Sequence, residues 1–223
     1  GGLMLPNLII PVLNRYDLLK RMVYSIDYPI RDVLIIDNGG QCSDRLLKKH
    51  PLIERGHILR MPSNLGVAAS WNLGIKLFPH DDRWFFASND MFYMPGALEK
   101  LSEARRQDIT LSDMFPFWHT FALGEEVVRR VGLFDEALYP AYFEDNDYER
   151  RAKHLGVDIR SVSIPTGHDN SSTIGADRGL REKNAVSYQN NAIYYNNKMA
   201  QRNYCQGAWS LKRRRDNAWD SPR

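Results

Sequence analysis

The stretch LIIPVLNRYDLLKRMVYSIDYPIRDVLIID, residues 8–37, decides the fold class. Its first six residues, Leu8–Leu13, form a continuous apolar run, which is typical of a strand buried on both faces. Apolar residues then recur at helical spacing over residues 16–26, and Val33–Ile36 gives a second apolar run. Strand, helix and strand at this spacing predict a βαβ unit with parallel strands.

The same alternation continues towards the C-terminus. Further strand candidates are His57–Met61, Trp84–Ala87 and Val157–Ile164, and further helix candidates are Val67–Phe78, Ala97–Arg106, Glu125–Val131 and Glu144–Leu155. The segment Ile109–Leu123 is rich in aromatic residues and has no assignable period. Strands that alternate with helices predict an α/β protein with a mixed, mostly parallel sheet flanked by helices.

Composition and charge indicate an ordinary soluble globular protein. The chain is 43% hydrophobic and 26% charged, and its net charge of +3 gives no reason to expect a nucleic acid partner. Cys42 and Cys205 lie far apart without metal-ligand spacing, so we expect no disulfide framework and a reducing, cytoplasmic location. We also expect no membrane span and no signal sequence, because the chain lacks the apolar stretches that both require.

Polar residues follow three of the predicted strands. Asn14 and Arg15 follow the first strand, Asp37 ends the second, and Asn89 with Asp90 follows the fourth. Ligands of open α/β sheets bind beyond the carboxyl ends of strands, so these residues predict one shared crevice. Each signal has a plainer interpretation, since Asp-Asn-Gly-Gly after Asp37 and Asn-Asp after Ser88 are also ordinary turn sequences.

The stretch GLFDEALYPAYFEDNDYERR, residues 132–151, concentrates acidic side chains among aromatic ones. Half-buried carboxylates are costly unless they bind a metal, act as a base or have a cationic partner. Glu144 and Asp145 are the candidates for chemistry. Asp147 has a structural alternative, an ion pair with Arg150 or Arg151 on the same helix.

The C-terminal part of the chain gives weaker signals. His168 follows the last strand candidate, although a single histidine is more often a hydrogen-bonded residue than a metal ligand. Residues 173–223 are rich in polar and aromatic side chains and predict a helical or irregular appendage. Its basic run, Lys212–Arg215, is interpreted as a solvated terminus, or else as a contact with a membrane surface or another subunit.

Taken in order along residues 8–172, these motifs resemble the GT-A glycosyltransferases, and most closely the family 2 type with its rhamnosyltransferase-like members. The most specific part is the pair GLFDE and YFEDNDYERR. The resemblance implies a GT-A, Rossmann-like sheet within a catalytic domain over residues 3–172. It places nucleotide binding at about 3–95 and acceptor binding at about 96–172, with residues 173–223 as the appendage.

The resemblance also implies roles for individual residues. The nucleotide-binding residues would be Pro11, Asn14, Arg15, Asp37, Asn64, Gly66, Asn72 and Asn89. Asp90 and His168 would hold Mn²⁺ or Mg²⁺, although Ser88 replaces the first aspartate of the family's D-x-D motif. Asp145 would be the general base with Glu144 as its acidic neighbour. Trp118 would face the acceptor, with core packing as an equal alternative.

The function implied by the resemblance is a metal-dependent glycosyltransferase of the hexosyltransferase type. It would move a sugar from a nucleoside diphosphate donor, most simply a UDP-sugar, to a hydroxyl of a glycan, a lipid-linked acceptor or a protein. A single base without an opposite carboxylate nucleophile favours inversion. The Ser88 departure leaves open a nucleotide-sugar or glycan-binding module without turnover. A nucleotidylyltransferase is disfavoured, because LIIPVLNRYD contains no glycine for a phosphate loop.

Overall fold

The computed structural model describes residues 4–168 and 178–204. In order, its elements are β1 Leu5–Val12, α1 Tyr16–Tyr24, β2 Ile30–Asp37, β3 Ile53–Arg60, α2 Val67–Leu77, β4 Arg83–Ala87, β5 Met91–Tyr93, α3 Ala97–Ser102, β6 Ile109–Ser112, a 3₁₀ turn Phe117–His119, β7 Thr120–Gly124, α4 Glu125–Val131, α5 Glu144–His154, β8 Ile159–Val162, β9 Thr166–His168 and α6 Arg178–Ala200.

Seven of the described strands form one mixed sheet in the order β3-β2-β1-β4-β7-β6-β8. The strands β3, β2, β1 and β4 are parallel, β7 runs antiparallel to β4 and β6, and β8 is parallel to β6. The short strands β5 and β9 pair separately and antiparallel. The prediction of a mixed, mostly parallel sheet flanked by helices is therefore confirmed.

Helices cover both faces of the sheet, which explains the continuous apolar run in β1. Leu8 and Ile10 belong to a core that includes residues of α1 and α3, whereas Ile9 belongs to the core formed with α2, α4 and α5. All three side chains are fully buried. Burial of each such side chain contributes about 1.5–3 kcal/mol, so β1 is the centre of the fold.

The aromatic segment that had no assignable period contains two strands. Ile109–Ser112 and Thr120–Gly124 form β6 and β7, and both strands are buried along their whole length. Full burial removes the alternation of polar and apolar residues by which a strand is recognised. Helix α3 ends at Ser102, four residues earlier than predicted, and the Ser102 hydroxyl donates to the Glu99 carbonyl there.

The C-terminal appendage is helical within the described residues. Helix α6 spans 23 residues and lies against the loop that precedes α5. None of the helices in the described ranges has the length and apolar character to cross a membrane. The basic run Lys212–Arg215 lies outside the described residues.

Candidate active site

A cavity of about 470 Å³ opens beyond the carboxyl ends of β1 and β4. This is the edge at which the sequence predicts a crevice. The described residues that line the cavity are Pro11, Val12, Leu13, Asn38, Asn64, Gly66, Val67, Trp71, Ala87, Ser88, Asn89, Asp90, Tyr139, Pro140, Ala141, Tyr142, Glu144, His168, Lys183, Asn184 and Ser187. It thus draws on strand ends, two loops and helix α6.

Asp90 and His168 form one polar pair in this cavity. The pairing of β5 with β9 aligns Met91 with His168, which brings the imidazole Nε2 within 3.1 Å of the Asp90 Oδ1. Both side chains are largely buried, at 9% and 12% exposure. The pair therefore exists as a local consequence of a strand ribbon that has only three residues on each side.

The donor set of this pair fits a divalent cation that is shared with a substrate. Among the described residues there is no cluster of three or more histidine, cysteine, aspartate or glutamate side chains that could hold a metal ion. Mg²⁺ and Mn²⁺ are nevertheless often held by one or two protein groups and substrate phosphate oxygens. One carboxylate and one imidazole at 3.1 Å meet that requirement.

Glu144 is the second buried carboxylate of the cavity, besides Asp90. It begins α5, is 7% exposed, and its Oε2 atom has no hydrogen-bond partner among the described residues. Burial, followed by the nearby charge of Asp145, raises the pKa of Glu144 to about 8. A carboxyl group of this kind is poised to exchange a proton near neutral pH.

Asp145 occupies a different position from Glu144. It is absent from the cavity lining, and its Oδ1 accepts from the backbone N–H of Asn146. Burial raises the pKa of Asp145 as well. The structure therefore brings Glu144 to the cavity surface and leaves Asp145 beside it, so the assignment of the base to Asp145 stays a prediction.

Four of the predicted nucleotide-binding residues line the cavity: Pro11, Asn64, Gly66 and Asn89. Asn64 accepts from the Gly66 N–H at 2.9 Å, which shapes the turn before α2. Asn89 donates to the carbonyl of Asn14 at 3.0 Å and so ties the ends of β4 and β1 together. These contacts give the cavity a fixed floor.

The other four predicted nucleotide-binding residues are absent from the lining. Asp37 is fully buried and accepts from the Tyr16 hydroxyl and from the N–H groups of Gly40 and Cys42, which is the turn alternative. Arg15 pairs with Asp17. Asn14 contributes its backbone carbonyl to Asn89.

Asn72 is the clearest departure from the predicted nucleotide site. Its amide nitrogen donates to the Phe134 carbonyl and to Glu136, and its amide oxygen accepts from the Phe134 N–H. These bonds fasten the GLFDE segment to α2, so Asn72 positions that segment rather than contacting the cavity.

The prediction that Trp118 faces the acceptor is not supported by its location. Its indole is 9% exposed and packs edge-on against Phe121, with Phe134 and Tyr148 nearby. Core packing, the alternative interpretation, describes this environment. The exposed aromatic residues of the same segment are Phe115 and Phe117.

Sequence reasoning missed two parts of the wall. The loop Tyr139–Tyr142 and the α6 residues Lys183, Asn184 and Ser187 all line the cavity. The signal for the loop was available, because its residues lie between GLFDE and YFEDNDYERR or begin the second motif. Helix α6 offered little, because its apolar residues follow no clear helical period.

Comparison with known proteins places this fold and site in context. The structure of GalNAc-T7 with UDP, GalNAc and Mn²⁺ is similar with a TM-score of 0.59 and 12% identity, over 75% of this chain and 44% of that one. Glucosyl-3-phosphoglycerate synthase from Mycobacterium tuberculosis, in complex with Mn²⁺, UDP and glucosyl-3-phosphoglycerate, is similar with a TM-score of 0.56 and 14% identity. The match covers 79% of this chain and 76% of that one. The fold is thus the predicted GT-A, Rossmann-like fold.

Two sequence matches bear on the family. Residues 7–115 match the model of glycosyl transferase family 2, which supports the family that the motifs resemble. A galactofuranosyl glycosyltransferase of Leishmania donovani is 43% identical over 63 residues, which is 28% of this chain and 14% of that protein's length. Neither match supports the rhamnosyltransferase-like subgroup.

Proposed function

We propose that the chain is an inverting, metal-dependent glycosyltransferase that moves a sugar from a UDP-sugar to an acceptor hydroxyl. The observation behind this proposal is that one cavity contains both the Asp90–His168 pair and the buried carboxyl of Glu144. Departure of a nucleoside diphosphate needs charge stabilisation at one end of the reacting centre, and the acceptor needs a base at the other.

Asp90 and His168 would hold Mn²⁺ or Mg²⁺, which supplies positive charge to the leaving diphosphate when bound. Pro11, Asn64, Gly66 and Asn89 form the adjoining wall and would orient the nucleotide. Asp37 would contact the nucleobase of the donor only after its present hydrogen bonds to Tyr16, Gly40 and Cys42 are broken. Ser88 contributes a hydroxyl where a second carboxylate would add charge, so we expect weaker metal affinity than a complete D-x-D motif gives.

The Glu144–Asp145 pair would remove the acceptor proton. Proton transfer from the acceptor can lag behind cleavage of the glycosidic bond, so a carboxylate with a raised pKa is basic enough. No carboxylate nucleophile is assigned on the opposite face of the sugar, so direct displacement with inversion is the simplest stereochemistry.

The base assignment is tested by Glu144→Gln and Asp145→Asn. Both are isosteric, and we expect UDP binding by calorimetry to be retained in each. Loss of about 10²-fold or more in transfer, the usual size of a general-base contribution, identifies the base. Loss of transfer activity in Asp145→Asn would support the base that the family resemblance implies. Loss of activity in Glu144→Gln would support the base that the cavity geometry favours. Full activity in both variants would exclude the pair.

The donor we propose first is UDP-galactofuranose. A galactofuranosyl glycosyltransferase matches this chain over 63 residues, and the two structural relatives above contain UDP. Turnover should be compared with UDP-galactose and UDP-glucose, and the anomeric configuration of the product should be read by NMR. A retained configuration would overturn inversion.

The competing function is a nucleotide-sugar or glycan-binding module without turnover, which Ser88 in the metal motif favours. Thermal shift with UDP, with and without Mn²⁺, followed by a turnover assay distinguishes the two. Stabilisation by UDP with no product across donors and acceptors would establish the binding module.

Partners and location are further proposals. The acceptor is a glycan, a lipid-linked sugar or a protein hydroxyl, and the chain acts in a reducing, cytoplasmic compartment. Removal of the residues after Leu211 deletes the basic run and would reduce activity selectively on lipid-linked acceptors if that run contacts a membrane surface. An equal loss on soluble acceptors would indicate a subunit contact instead.

A further inference from the structure

Helix α6 forms one wall of the cavity, although its sequence has no stripe of apolar residues to hold it there. It contributes Lys183, Asn184 and Ser187 to the lining. Its apolar side chains Val186 and Ile193 are exposed, at 59% and 61%. Ring contacts with Phe143 pack part of the helix on the loop before α5. A polar contact adds to this packing near the C-terminal end of the helix.

A buried lysine provides that contact. Lys198 is 5% exposed, and its Nζ lies 2.6 Å from Asp135 Oδ2 and 2.8 Å from Asp147 Oδ1. Asp135 belongs to the GLFDE segment and Asp147 belongs to α5. Lysine is almost never buried without paired carboxylates, so this ammonium marks a defined docking point for α6.

Lys198 shares Asp147 with two arginines. Asp147 also binds the fully buried Arg151 at 2.7 Å and Arg150, which is 14% exposed, at 3.3 Å. Arg151 further donates to the carbonyls of Val131 and Leu133. Removal of Lys198 alone would leave Asp147 with cationic partners but would take from Asp135 the ammonium that binds it, which is the costly way to break a buried ion pair.

The docked helix also holds the loop that leads to Glu144. Tyr142 and Phe143 have φ values of 81° and 72°, a left-handed conformation that costs about 1–2 kcal/mol for each residue with a Cβ. Asn191 donates to the carbonyls of Ala141 and Tyr142, and Asn184 donates to the Tyr142 hydroxyl. Helix α6 thus maintains a conformation that the loop would not favour alone.

These contacts bind the segment of chain that immediately precedes Glu144. We infer that Lys198 is a positioning residue for the acceptor: its bridge to Asp135 and Asp147 holds α6 and the Tyr139–Tyr142 loop as the acceptor-side wall. The inference rests on the proposed transferase function for its acceptor role. The bridge itself is independent of that function.

The test compares Lys198→Met with Lys153→Met, a matched removal of a lysine that pairs with Glu149 on the exposed face of α5. In Lys198→Met we expect backbone amides of residues 182–200 and 139–143 to exchange hydrogen at least about tenfold faster. With an octyl galactoside that the wild-type protein uses as acceptor, we expect KM to rise about tenfold while the Kd of UDP stays within about twofold.

The double variant Asp135→Asn with Lys198→Met removes both charges of the Asp135–Lys198 ion pair, so no carboxylate loses its cation, and it serves if the single variant does not fold. It should regain thermal stability, but its acceptor KM should remain raised. Wild-type exchange rates in α6, an equal effect of Lys153→Met, or an equal loss of UDP affinity would each overturn the inference. If the wild-type protein transfers no sugar, the proposed function fails, and the exchange measurement still decides whether Lys198 holds α6.

Discussion

At the scale of single residues, Asp90 and His168 depend on each other for their placement. Neither side chain is aligned by a long element, since β5 and β9 have three residues each. Their contact nevertheless puts a carboxylate and an imidazole in the cavity that Glu144 and helix α6 also line. Two such groups would leave most of the coordination sphere of a cation to water and substrate oxygens.

Asp90→Asn and His168→Ala should therefore abolish the part of UDP affinity that depends on Mn²⁺. We expect the Kd of UDP with Mn²⁺ to rise by about 10–100-fold, and the Kd measured in EDTA to change little. His80→Ala, an exposed histidine at the far edge of the sheet, is the control. Titration calorimetry with and without Mn²⁺ gives both constants, and an unchanged Mn²⁺ dependence in either variant removes that residue from the site.

Residue types in order along the chain indicated Asp90, Glu144 and His168 without indicating what each side chain contacts. Asn72 and Trp118 were indistinguishable by sequence from ligand-binding residues. An amide that bonds a neighbouring loop and an indole that packs in the core have the same local patterns as a nucleotide contact and a sugar platform. The difference arises from tertiary packing, which one sequence does not record.

At the scale of elements, loops that are remote in sequence meet above the sheet. Gly66, at the start of α2, has φ +80°, and a Cβ there would lie 2.8 Å from the Pro140 carbonyl oxygen. The Val67 N–H also donates to that carbonyl. The nucleotide-side wall is therefore fitted directly against the loop that leads to Glu144.

Gly66→Ala should lower stability and widen the cavity. Gly66 has φ 80° and ψ 172°, a conformation essentially confined to glycine that costs an alanine about 1–3 kcal/mol, and the overlap with Pro140 adds about 1–3 kcal/mol. Gly96→Ala is the control for a methyl group at positive φ, because Gly96 has φ +83° and open space around its Cβ position. Urea unfolding should give the larger loss for Gly66→Ala, with weaker UDP binding only in that variant. Equal losses of stability in the two variants would mean that the loop containing Pro140 moves to accommodate the methyl group.

The helices and central strands were predictable because their apolar periods are set by the sheet. The last helix was predicted only as a helical or irregular appendage, because its apolar residues follow no clear helical period. It is held by polar contacts of Lys198, Asn184 and Asn191 and by ring contacts of Tyr188 and Tyr195 with Phe143. Strands β6 and β7 escaped recognition because burial on both faces removes their alternation. The pattern of apolar residues therefore predicts which elements pack on an apolar core, but it does not predict packing through polar contacts.

At the scale of the whole molecule, buried carboxylates at the two ends of the sheet differ in the partners that they have. At the amino end, Asp32 binds Arg55, Arg31 and His57, and Asp81 binds Arg31. At the carboxyl end, Glu144 retains an oxygen without a hydrogen-bond partner among the described residues. Buried side-chain atoms without a partner among the described residues also occur elsewhere, for example at Asp108 and Thr110, but Glu144 is the one of these residues that lines the cavity.

The contributions of Glu144 and Asp32 to stability, at the two ends of the sheet, should depend on pH in opposite directions. Burial raises the pKa of Glu144 to about 8 from 4.5, so the unfolded chain ionises first and wild-type stability falls as pH rises across that window. The stability of Glu144→Gln relative to wild type should therefore increase between pH 4.5 and 8, by on the order of a few kcal/mol, and should not increase further above pH 8.

Burial raises the pKa of Asp32, but Arg55, Arg31 and His57 outweigh it, so the net pKa is lowered from 3.8. This stabilisation is present above the unfolded pKa and is lost as pH falls through the folded one, so Asp32→Asn should cost about 2 kcal/mol at neutral pH and progressively less below pH 3.8. Urea unfolding in EDTA from pH 2 to 9 measures both differences. A Glu144→Gln curve parallel to wild type between pH 4.5 and 8 would show that the cavity solvates this carboxylate, and it could not then be the poised base.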